Sequence, residues 1–260
     1  MKKKRPDIRA QLKRMIKTKS ELALLRKSAR ITDSCVAVLQ RELRREGVTE
    51  KQLAAAIDRN IRKQRAQLAF PTIVACGKRS VLIHAKPSSK VVRGLGYADF
   101  GASWKGYRTD ITVPFVKGEL GAKEQRILIT TLQAYAALTK MPKRGMPCWM
   151  MQERFDAFLR KRGYATMHSL GHGIGLDIHE LPSLTKLRRG RLRKMGPRKR
   201  KRALARWRII KQLRFEPGMV FTIEPGVYVA GVGGCRYEND FLMAARGARP
   251  VTHSRLLRAY

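Results

Sequence analysis

The chain has 260 residues, of which 43% are hydrophobic, enough to build the core of one large domain and to exclude a disordered protein. It carries 57 Lys and Arg against 19 Asp and Glu, a formal net charge of +38 that attracts polyanions such as nucleic acid, ribosomes or anionic membranes. A source proteome that is basic throughout would explain the same charge.

The chain starts with a basic N-terminal lead, residues 1–15, which no apolar segment follows, so we predict no signal peptide. No uninterrupted apolar run reaches the length of a membrane span. The four cysteines lie far apart without a CxxC pair, which argues against a zinc knuckle and fits reduced thiols. We therefore expect a cytoplasmic protein with no membrane span.

Four helices are predicted, in two pairs. Ser20 is placed to cap the first helix and Gly47 to end it. Thr49 and Gln52 occupy capping-box positions at the start of the second. The predicted helices span 20–47, 49–64, 123–141 and 147–163.

Between and after the helix pairs the pattern is typical of strands. Short apolar or alternating runs broken by glycine occupy 70–77, 96–118 and 219–245. The order of helices, strands, helices and strands predicts a single α+β domain, 1–260, with a mostly antiparallel sheet.

A basic insertion at 185–213 fits neither pattern. Residues 185–214 hold 15 Lys or Arg and no acid, with helix expected from about Lys201 to Lys211. Two interpretations stay open: an arm that contacts RNA or the ribosome through 186–211, and a solvated loop of a basic proteome.

Two pairs of acids flank predicted turns. If the chain folds back near Trp104–Lys105, Asp99 and Asp110 lie opposite each other on adjacent strands. Glu224 and Glu238 flank a glycine-rich turn centred on Gly231 and would also face each other. Two carboxylates so close repel each other unless a proton or a cation lies between them.

Four carboxylates and one histidine form a ligand set for two divalent metal ions. A water that two ions share ionises near neutral pH, and this metal-bridging hydroxide is a nucleophile for peptide hydrolysis that needs no Ser or Cys. The competing interpretation has the aspartates capping turns and the glutamates pairing with arginines.

The segment "GHGIGLDIHE" at 171–180 holds two histidines among glycines. It is not an HExxH motif, and neither a dinucleotide-binding loop nor a GxSxG elbow occurs in the chain. Glycines on both sides of His172 let the backbone approach a ligand closely, which favours a functional histidine there.

Three strings resemble the pita-bread metallopeptidases, the creatinase/aminopeptidase fold of methionine aminopeptidase, aminopeptidase P and prolidase. The strings are "DFGASWKGYRTDITVPF", "HSLGHGIGLDIHELPSL" and "EPGMVFTIEPGVYVAGVGGCRYENDFL". The resemblance runs from about Ile16 to Met243. It implies a curved, mostly antiparallel sheet with flanking helices.

The resemblance also implies roles for individual residues. His84 would line the substrate site, and His179 would hydrogen-bond substrate or the tetrahedral intermediate. Either Glu224 or the bridging pair, Asp110 and Glu238, would shuttle a proton. His168 would lie behind the metal ligands. The implied ligands of two Mn, Co, Fe or Zn ions are Asp99, Asp110, His172, Glu224 and Glu238.

Tyr228 and Arg236, with "GLDIHELP", look like the branch that cleaves Xaa-Pro bonds, and the resemblance implies that both residues contact substrate. The expected function is thus a metallo-exopeptidase that releases an N-terminal residue ahead of proline from peptides with a free N-terminus. Two alternatives stay open: methionine aminopeptidase-like activity, and a non-enzymatic protein that binds nucleic acid or ribosomes.

Members of this branch usually carry an N-terminal domain that caps the active site and helps form dimers, whereas the resemblance here starts near Ile16. Selection of substrate length and assembly as a homodimer are therefore open. "TVPF" stands where the family has "TRTF", and Pro114 predicts a locally irregular strand.

Overall fold

The computed structural model of the chain describes residues 8–187 and 189–260. Within them, no helix combines the length and the apolar character needed to cross a bilayer. The helices are α1 (Ile8–Met15), α2 (Lys19–Leu43), α3 (Glu50–Lys63), α4 (Ala122–Leu138), α5 (Met150–Arg160), α6 (Arg189–Arg193) and α7 (Pro197–Gln212), with a 3₁₀ turn at Gly77–Val81.

Among the described strands most pairs are antiparallel, as predicted, and β14 runs parallel to its partner, β6. The described sheets have the orders β1-β4-β5, β10-β11, β13-β12-β9-β7-β8 and β14-β6-β3-β2. The strands are β1 (Gln67–Leu68), β2 (Ile73–Cys76), β3 (Gly94–Phe100), β4 (Ala102–Trp104), β5 (Tyr107–Arg108), β6 (Ile111–Lys117), β7 (Gly171–Gly173), β8 (Glu180–Leu184), β9 (Val220–Ile223), β10 (Gly226–Val229), β11 (Gly233–Arg236), β12 (Asn239–Ala244), β13 (Gly247–Pro250) and β14 (Leu257–Ala259).

The four predicted helices correspond to α2, α3, α4 and α5. The capping box of Thr49 and Gln52 is confirmed at the start of α3. The predicted cap at Ser20 is wrong, because Thr18 is the N-cap of α2 and forms a capping box with Glu21. That reciprocal pair satisfies two backbone N–H groups, which one serine hydroxyl could not do.

The aspartate hairpin folds with a different register from the predicted one. Asp99 lies opposite Thr112 rather than opposite Asp110. The turn consists of Lys105 and Gly106, both with positive φ, between the paired residues of β4 and β5. Such a two-residue turn matches the twist of the strands better than one centred at Trp104–Lys105.

The glutamate hairpin has the predicted register. Gly226 pairs with Arg236 in the β10–β11 ladder, and Ile223 pairs with Asn239 in the β9–β12 ladder. Both pairings share one register, so Glu224 and Glu238 face each other where the two ladders meet.

Two large apolar clusters position the sheets. One packs α4 and α5 against the five-stranded sheet, and the other packs α2 and α3 against the four-stranded sheet. The sheets meet at an isolated bridge between Thr112 and Glu238. The acids of both hairpins therefore lie at the junction between two well-packed layers.

The basic insertion contains α6 and α7, and α7 extends further in both directions than the predicted 201–211 helix. Its C-terminal half is anchored to the body: Trp207 contacts Trp149 edge-on with ring centroids 6.5 Å apart, and Ile210 is buried. The described residues from 189 onward thus form two helices on the connection from β8 to β9.

Candidate metal centre

Three predicted ligands converge at the junction of the two sheets. Asp110, His172 and Glu238 each offer one ligand atom, and these atoms all lie within 4.8 Å of one another. Asp110 directly precedes β6, His172 lies in β7, and Glu238 lies in the connection between β11 and β12. Oxygen and imidazole donors in this number are typical of a site for a divalent cation.

Glu224 and Asp99 lie beside this cluster. The His172 Nε2 atom is 3.6 Å from Glu224 Oε1 and 3.8 Å from Asp110 Oδ2. Asp99 is close enough to raise the pKa values of Asp110 and Glu238 through charge repulsion, after the larger effect of burial. The structure therefore brings all five predicted metal ligands into one region.

Several carboxylate oxygens here are buried without a hydrogen-bond partner. Among the described residues, Asp99 Oδ1, Asp110 Oδ1 and Glu238 Oε1 belong to this group. Unsatisfied buried carboxylate oxygens are costly and rare in native proteins, and an ion is one explanation for them. The residues present thus fit divalent cations.

The electrostatics of the bare site are those of crowded, desolvated acids. Burial and, next, the charge of Glu238 raise the pKa of Asp110 well above its usual value. The same two causes raise the pKa of Glu224. Burial and the charge of Asp99 raise the pKa of Glu238 to about 7. Each of these groups thus favours a bound proton or cation.

His172 is held in the form that a metal requires. Burial lowers its pKa to about 3, so the ring is neutral. Its Nδ1 lies 3.1 Å from the carbonyl oxygen of Gly173, which can only accept, so Nδ1 carries the proton. The lone pair of Nε2 then faces Asp110 and Glu224, as in a metal-bound imidazole.

The glycines beside His172 have a structural reason. A Cβ at Gly171 would lie 2.1 Å from the Thr222 carbonyl oxygen, and one at Gly173 would lie 2.1 Å from the Leu181 carbonyl oxygen. The expected close approach to a ligand is therefore an approach to neighbouring backbone. It lets β7 pack tightly enough to place His172.

Arg236 fixes the position of Asp99 through a buried ion pair. Only 2% of Arg236 is exposed, and its Nη2 forms a short ion pair with Asp99. Its Nε donates to Thr112 at 3.0 Å and its Nη1 to the Tyr228 hydroxyl at 2.9 Å. All three guanidinium nitrogens thus donate to protein groups, and the predicted contact of Arg236 and Tyr228 with substrate stays a prediction.

His168 continues this network to Glu224. Its Nε2 lies 2.9 Å from the Tyr228 hydroxyl, and its Nδ1 lies 2.8 Å from the Ser169 carbonyl oxygen and 3.5 Å from Glu224 Oε2. The carbonyl fixes the proton on Nδ1, so Nε2 accepts from Tyr228. His168 lies behind the cluster, where the sequence resemblance placed it.

The two predicted substrate histidines occupy different places. The His179 ring is exposed and contacts the His172 ring, with centroids 4.3 Å apart. His84 is also exposed, on a wall of a cavity of roughly 710 Å³ that residues of 79–89 largely form. The cavity adjoins the Arg236 network, because Arg236 Nη1 donates to the Ile83 carbonyl oxygen at 3.4 Å. The structure therefore brings His179 to the cluster and leaves His84 on this separate wall.

Two residues that hold the cluster were not predicted. Thr112 donates to Glu238 Oε2 at 2.7 Å. Asp240 Oδ2 accepts from the backbone N–H of Asp110 at 3.1 Å. Asp240 follows the predicted ligand Glu238 by two residues in "END", and this spacing of acids on one face of a strand is the signal that could have identified it.

The chain matches the model of metallopeptidase family M24 over residues 23–245. It is 33% identical over 244 residues to the Xaa-Pro dipeptidase of Pyrococcus furiosus, an alignment that covers 92% of this chain and 63% of that protein. The prolidase structure from Pyrococcus furiosus matches with a TM-score of 0.82 and 32% identity, over 96% of this chain and 69% of the other. The X-Pro aminopeptidase structure from Thermotoga maritima matches with a TM-score of 0.81 and 31% identity, over 97% and 67%.

The match has a limit in length. The chain spans about 63% of the length of the curated Xaa-Pro dipeptidases from Pyrococcus furiosus and Pyrococcus horikoshii. The remaining third of those proteins has no counterpart in the alignment.

Proposed function

The chain belongs to metallopeptidase family M24, and from this premise we propose that it is a metal-dependent exopeptidase that hydrolyses the N-terminal peptide bond of Xaa-Pro substrates. The likeness to prolidase structures confirms the α+β pita-bread fold that the sequence resembles. The observation that carries the proposal is the convergence of Asp110, His172 and Glu238 at one buried point.

We propose that Asp99, Asp110, His172, Glu224 and Glu238 hold two divalent ions. Manganese, cobalt, iron and zinc all suit a carboxylate-rich site with one imidazole. Such ions, when bound, lower the pKa of a bound water toward neutrality and polarise the scissile carbonyl. The chain's own residues must then orient the substrate and move protons.

Glu224 is the proposed proton carrier. Burial and, next, the charge of Glu238 raise its pKa well above the usual value, and this direction favours a group that takes up a proton. Its Oε1 lies 3.6 Å from His172 Nε2, and its Oε2 lies 3.5 Å from His168 Nδ1. Both carboxylate oxygens are therefore close to the cluster. In this proposal Glu224 takes the proton of the attacking water and passes it to the leaving amine.

His179 and His84 are the proposed substrate residues. His179 is exposed against His172, so its ring can donate to the carbonyl oxygen as negative charge develops there. His84 faces an open cavity large enough for part of a peptide. We propose that it contacts the substrate away from the scissile bond.

The names of the relatives support the Xaa-Pro substrate class. Curated relatives from two Pyrococcus species are Xaa-Pro dipeptidases, and the Thermotoga maritima structure is an X-Pro aminopeptidase. These names belong to proteins longer than this chain, so we extend the substrate class to it only as a proposal.

A peptidase panel tests this function. Purified protein with Mn²⁺ or Co²⁺ should cleave Xaa-Pro peptides, and both Asp110→Ala and Glu238→Ala should abolish cleavage. Glu153→Ala, which removes an exposed acid from α5, is the matched control and should leave cleavage unchanged. Cleavage of Met-Ala but not Xaa-Pro peptides would assign methionine aminopeptidase-like activity instead. Failure to bind any divalent metal in calorimetry would overturn the proposal.

Three expectations about the whole protein remain predictions: a cytoplasmic location, a homodimer, and contact with RNA through 186–211. The predicted RNA contact involves a surface separate from the metal centre.

A further inference from the structure

Helix α7 presents an exceptional density of positive charge. Eight of its 16 residues are Lys or Arg and none is acidic. Seven of the eight are exposed, namely Arg198, Lys199, Arg200, Lys201, Arg202, Arg208 and Lys211. The surrounding segment, residues 185–214, contributes 15 of the 57 Lys and Arg in only 30 of the 260 residues. The charge is thus concentrated here beyond the basic background of the chain.

The N-terminal half of α7 projects from the body. Residues 198–202 are five consecutive exposed positions, which cover more than one full turn, so solvent surrounds the helix on all sides there. From Ala203 onward, half-buried and buried residues alternate with exposed ones. Trp207 and Ile210 anchor that C-terminal half against the body. The projecting part is a positively charged rod about 7 Å long.

The fold does not account for these charges. At the ends of the insertion basic residues have structural partners: Lys186 pairs with Asp156 at 2.5 Å, and Arg214 donates to the Gly145 carbonyl oxygen at 3.1 Å. For residues 198–202 the described part of the chain offers no ion pair. Positive charge in the first turn also opposes the helix dipole, so helix stability does not explain it.

We propose that the projecting half of α7 binds between the phosphate backbones of a nucleic-acid duplex. A rod charged on all sides meets phosphates on both walls of a groove, whereas a flat acidic surface would meet only one side of it. The exposed residues at 198–202 are all Lys or Arg without an aromatic ring, so the contact is to phosphate rather than to stacked bases.

An anionic membrane fits this surface less well than a duplex does. Membrane-surface helices bury an apolar face among the lipids. In α7 the larger apolar side chains, Trp207 and Ile210, already pack on the protein. The projecting residues 198–202, which are all Lys or Arg, therefore offer lipids no apolar face.

This inference does not depend on the proposed peptidase function. The charged half of α7 contains none of the proposed metal or substrate residues, and it lies on the connection between β8 and β9. Binding can therefore be measured with chelator present, whatever the protein hydrolyses.

The test compares two full-length variants that each lose five positive charges. The first replaces Arg198, Lys199, Arg200, Lys201 and Arg202 with Gln. The control replaces five exposed basic residues on α2, α3 and α4 with Gln, namely Arg26, Arg30, Arg59, Lys63 and Arg126. Circular dichroism and the melting temperature establish that both variants fold.

Binding is followed by fluorescence anisotropy with a labelled RNA duplex of about 20 base pairs, a DNA duplex of the same sequence, and vesicles with and without phosphatidylserine. We expect the α7 variant to bind duplexes at least about 10-fold more weakly and the control variant to retain most of its affinity. The slope of the logarithm of the binding constant against the logarithm of the salt concentration should be several units less steep for the α7 variant. The RNA and DNA arms distinguish the source of the phosphate. Equal losses in both variants, no duplex binding, or stronger binding to anionic vesicles would overturn the proposal.

Discussion

Lys17 and Glu180, which lie 163 residues apart in the chain, form a buried ion pair with Nζ and Oε2 3.1 Å apart and both side chains 1% exposed. The Lys17 ammonium also donates to the Arg14 carbonyl oxygen at 2.6 Å, and Glu180 Oε1 accepts from the backbone N–H of Asp177 at 3.0 Å. The pair thus ties the segment after α1 to the loop that carries His179.

Replacing Lys17 with Met should destabilise the fold by about 3–5 kcal/mol, because buried Glu180 is left, among the described residues, with only the longer ion pair to Arg14 Nη1 at 4.0 Å. Urea denaturation measures the loss. Lys19→Met, at a neighbouring exposed position, is the control and should change stability by less than about 0.5 kcal/mol. Equal effects of the two substitutions would show that the pair contributes nothing specific.

Metal should stabilise the protein more at higher pH. Burial and the charge of Asp99 raise the pKa of Glu238 from 4.5 to about 7, so this group stabilises the metal-free fold below pH 4.5, and that contribution is lost as the pH rises through 7. A divalent cation replaces the proton. The increase in melting temperature on adding Mn²⁺ to chelator-treated protein should therefore be larger at about pH 8 than at about pH 5.5.

The Glu238→Gln variant provides the control for this pH dependence. Its metal-free form should melt at a temperature that varies less between the two pH values, because the amide does not titrate. A Mn²⁺ effect of equal size at both pH values in the unmodified protein would contradict the assignment.

The two histidines of the "GHGIGLDIHE" segment should separate metal binding from catalysis. His172→Ala removes a proposed ligand, so metal affinity in calorimetry should fall by more than the roughly 10–100-fold that loss of an outer partner costs. His179→Ala should leave metal affinity nearly unchanged and lower kcat by about 100–1,000-fold, as expected for loss of one oxyanion donor. The reverse pattern would exchange their roles.

Arg236→Lys distinguishes a positioning residue from a substrate-binding residue. Lysine keeps the charge but cannot reach Asp99, Thr112 and Tyr228 together, as the guanidinium does. If Arg236 positions Asp99, metal affinity should fall by about 10–100-fold, with KM little changed at saturating metal. A raised KM with unchanged metal affinity would instead support the substrate contact that the sequence resemblance implies.

Gly173→Ala should destabilise the fold by about 3 kcal/mol, because the new Cβ would lie 2.1 Å from the Leu181 carbonyl oxygen and β7 and β8 would have to separate. Gly196→Ala is the matched control, since no atom lies within 4 Å of a Cβ at that position. Thermal unfolding compares the two. A smaller loss at Gly173 than at Gly196 would show that the strands adjust freely.

The register of the glutamate hairpin could be predicted from the sequence, because a single glycine-rich turn at Gly231 sets the register of both ladders. For the aspartate hairpin the predicted partner of Asp99 was two residues away from the observed one, because the turn is Lys105–Gly106 and not Trp104–Lys105. An even shift keeps side chains on the same face of the sheet, so Asp99 and Asp110 still approach the same site.

Long-range partners could not be predicted in this way. Asp240 contacts the backbone of Asp110 130 residues away, and Thr112 bonds Glu238 126 residues away. The spacing of Glu238 and Asp240 marks Asp240 but not its partner, and the pairing of Thr112 with Glu238 leaves no periodic or charge-pair signal in the sequence. Helix α1 was also not predicted, because residues 1–15 were interpreted as a basic lead, yet Met15 is buried and Ile8 and Leu12 pack against the apolar cluster around α4 and α5.

The bridge between Thr112 and Glu238 has a consequence for biosynthesis. The ribosome makes Asp99 and Asp110 long before Glu224 and Glu238. A partly synthesised chain therefore contains only two of these four acids, which converge at the junction of the two sheets. A partly translated molecule therefore could not complete the proposed metal site, and any hydrolytic activity would require the glutamate hairpin to be synthesised and packed in place.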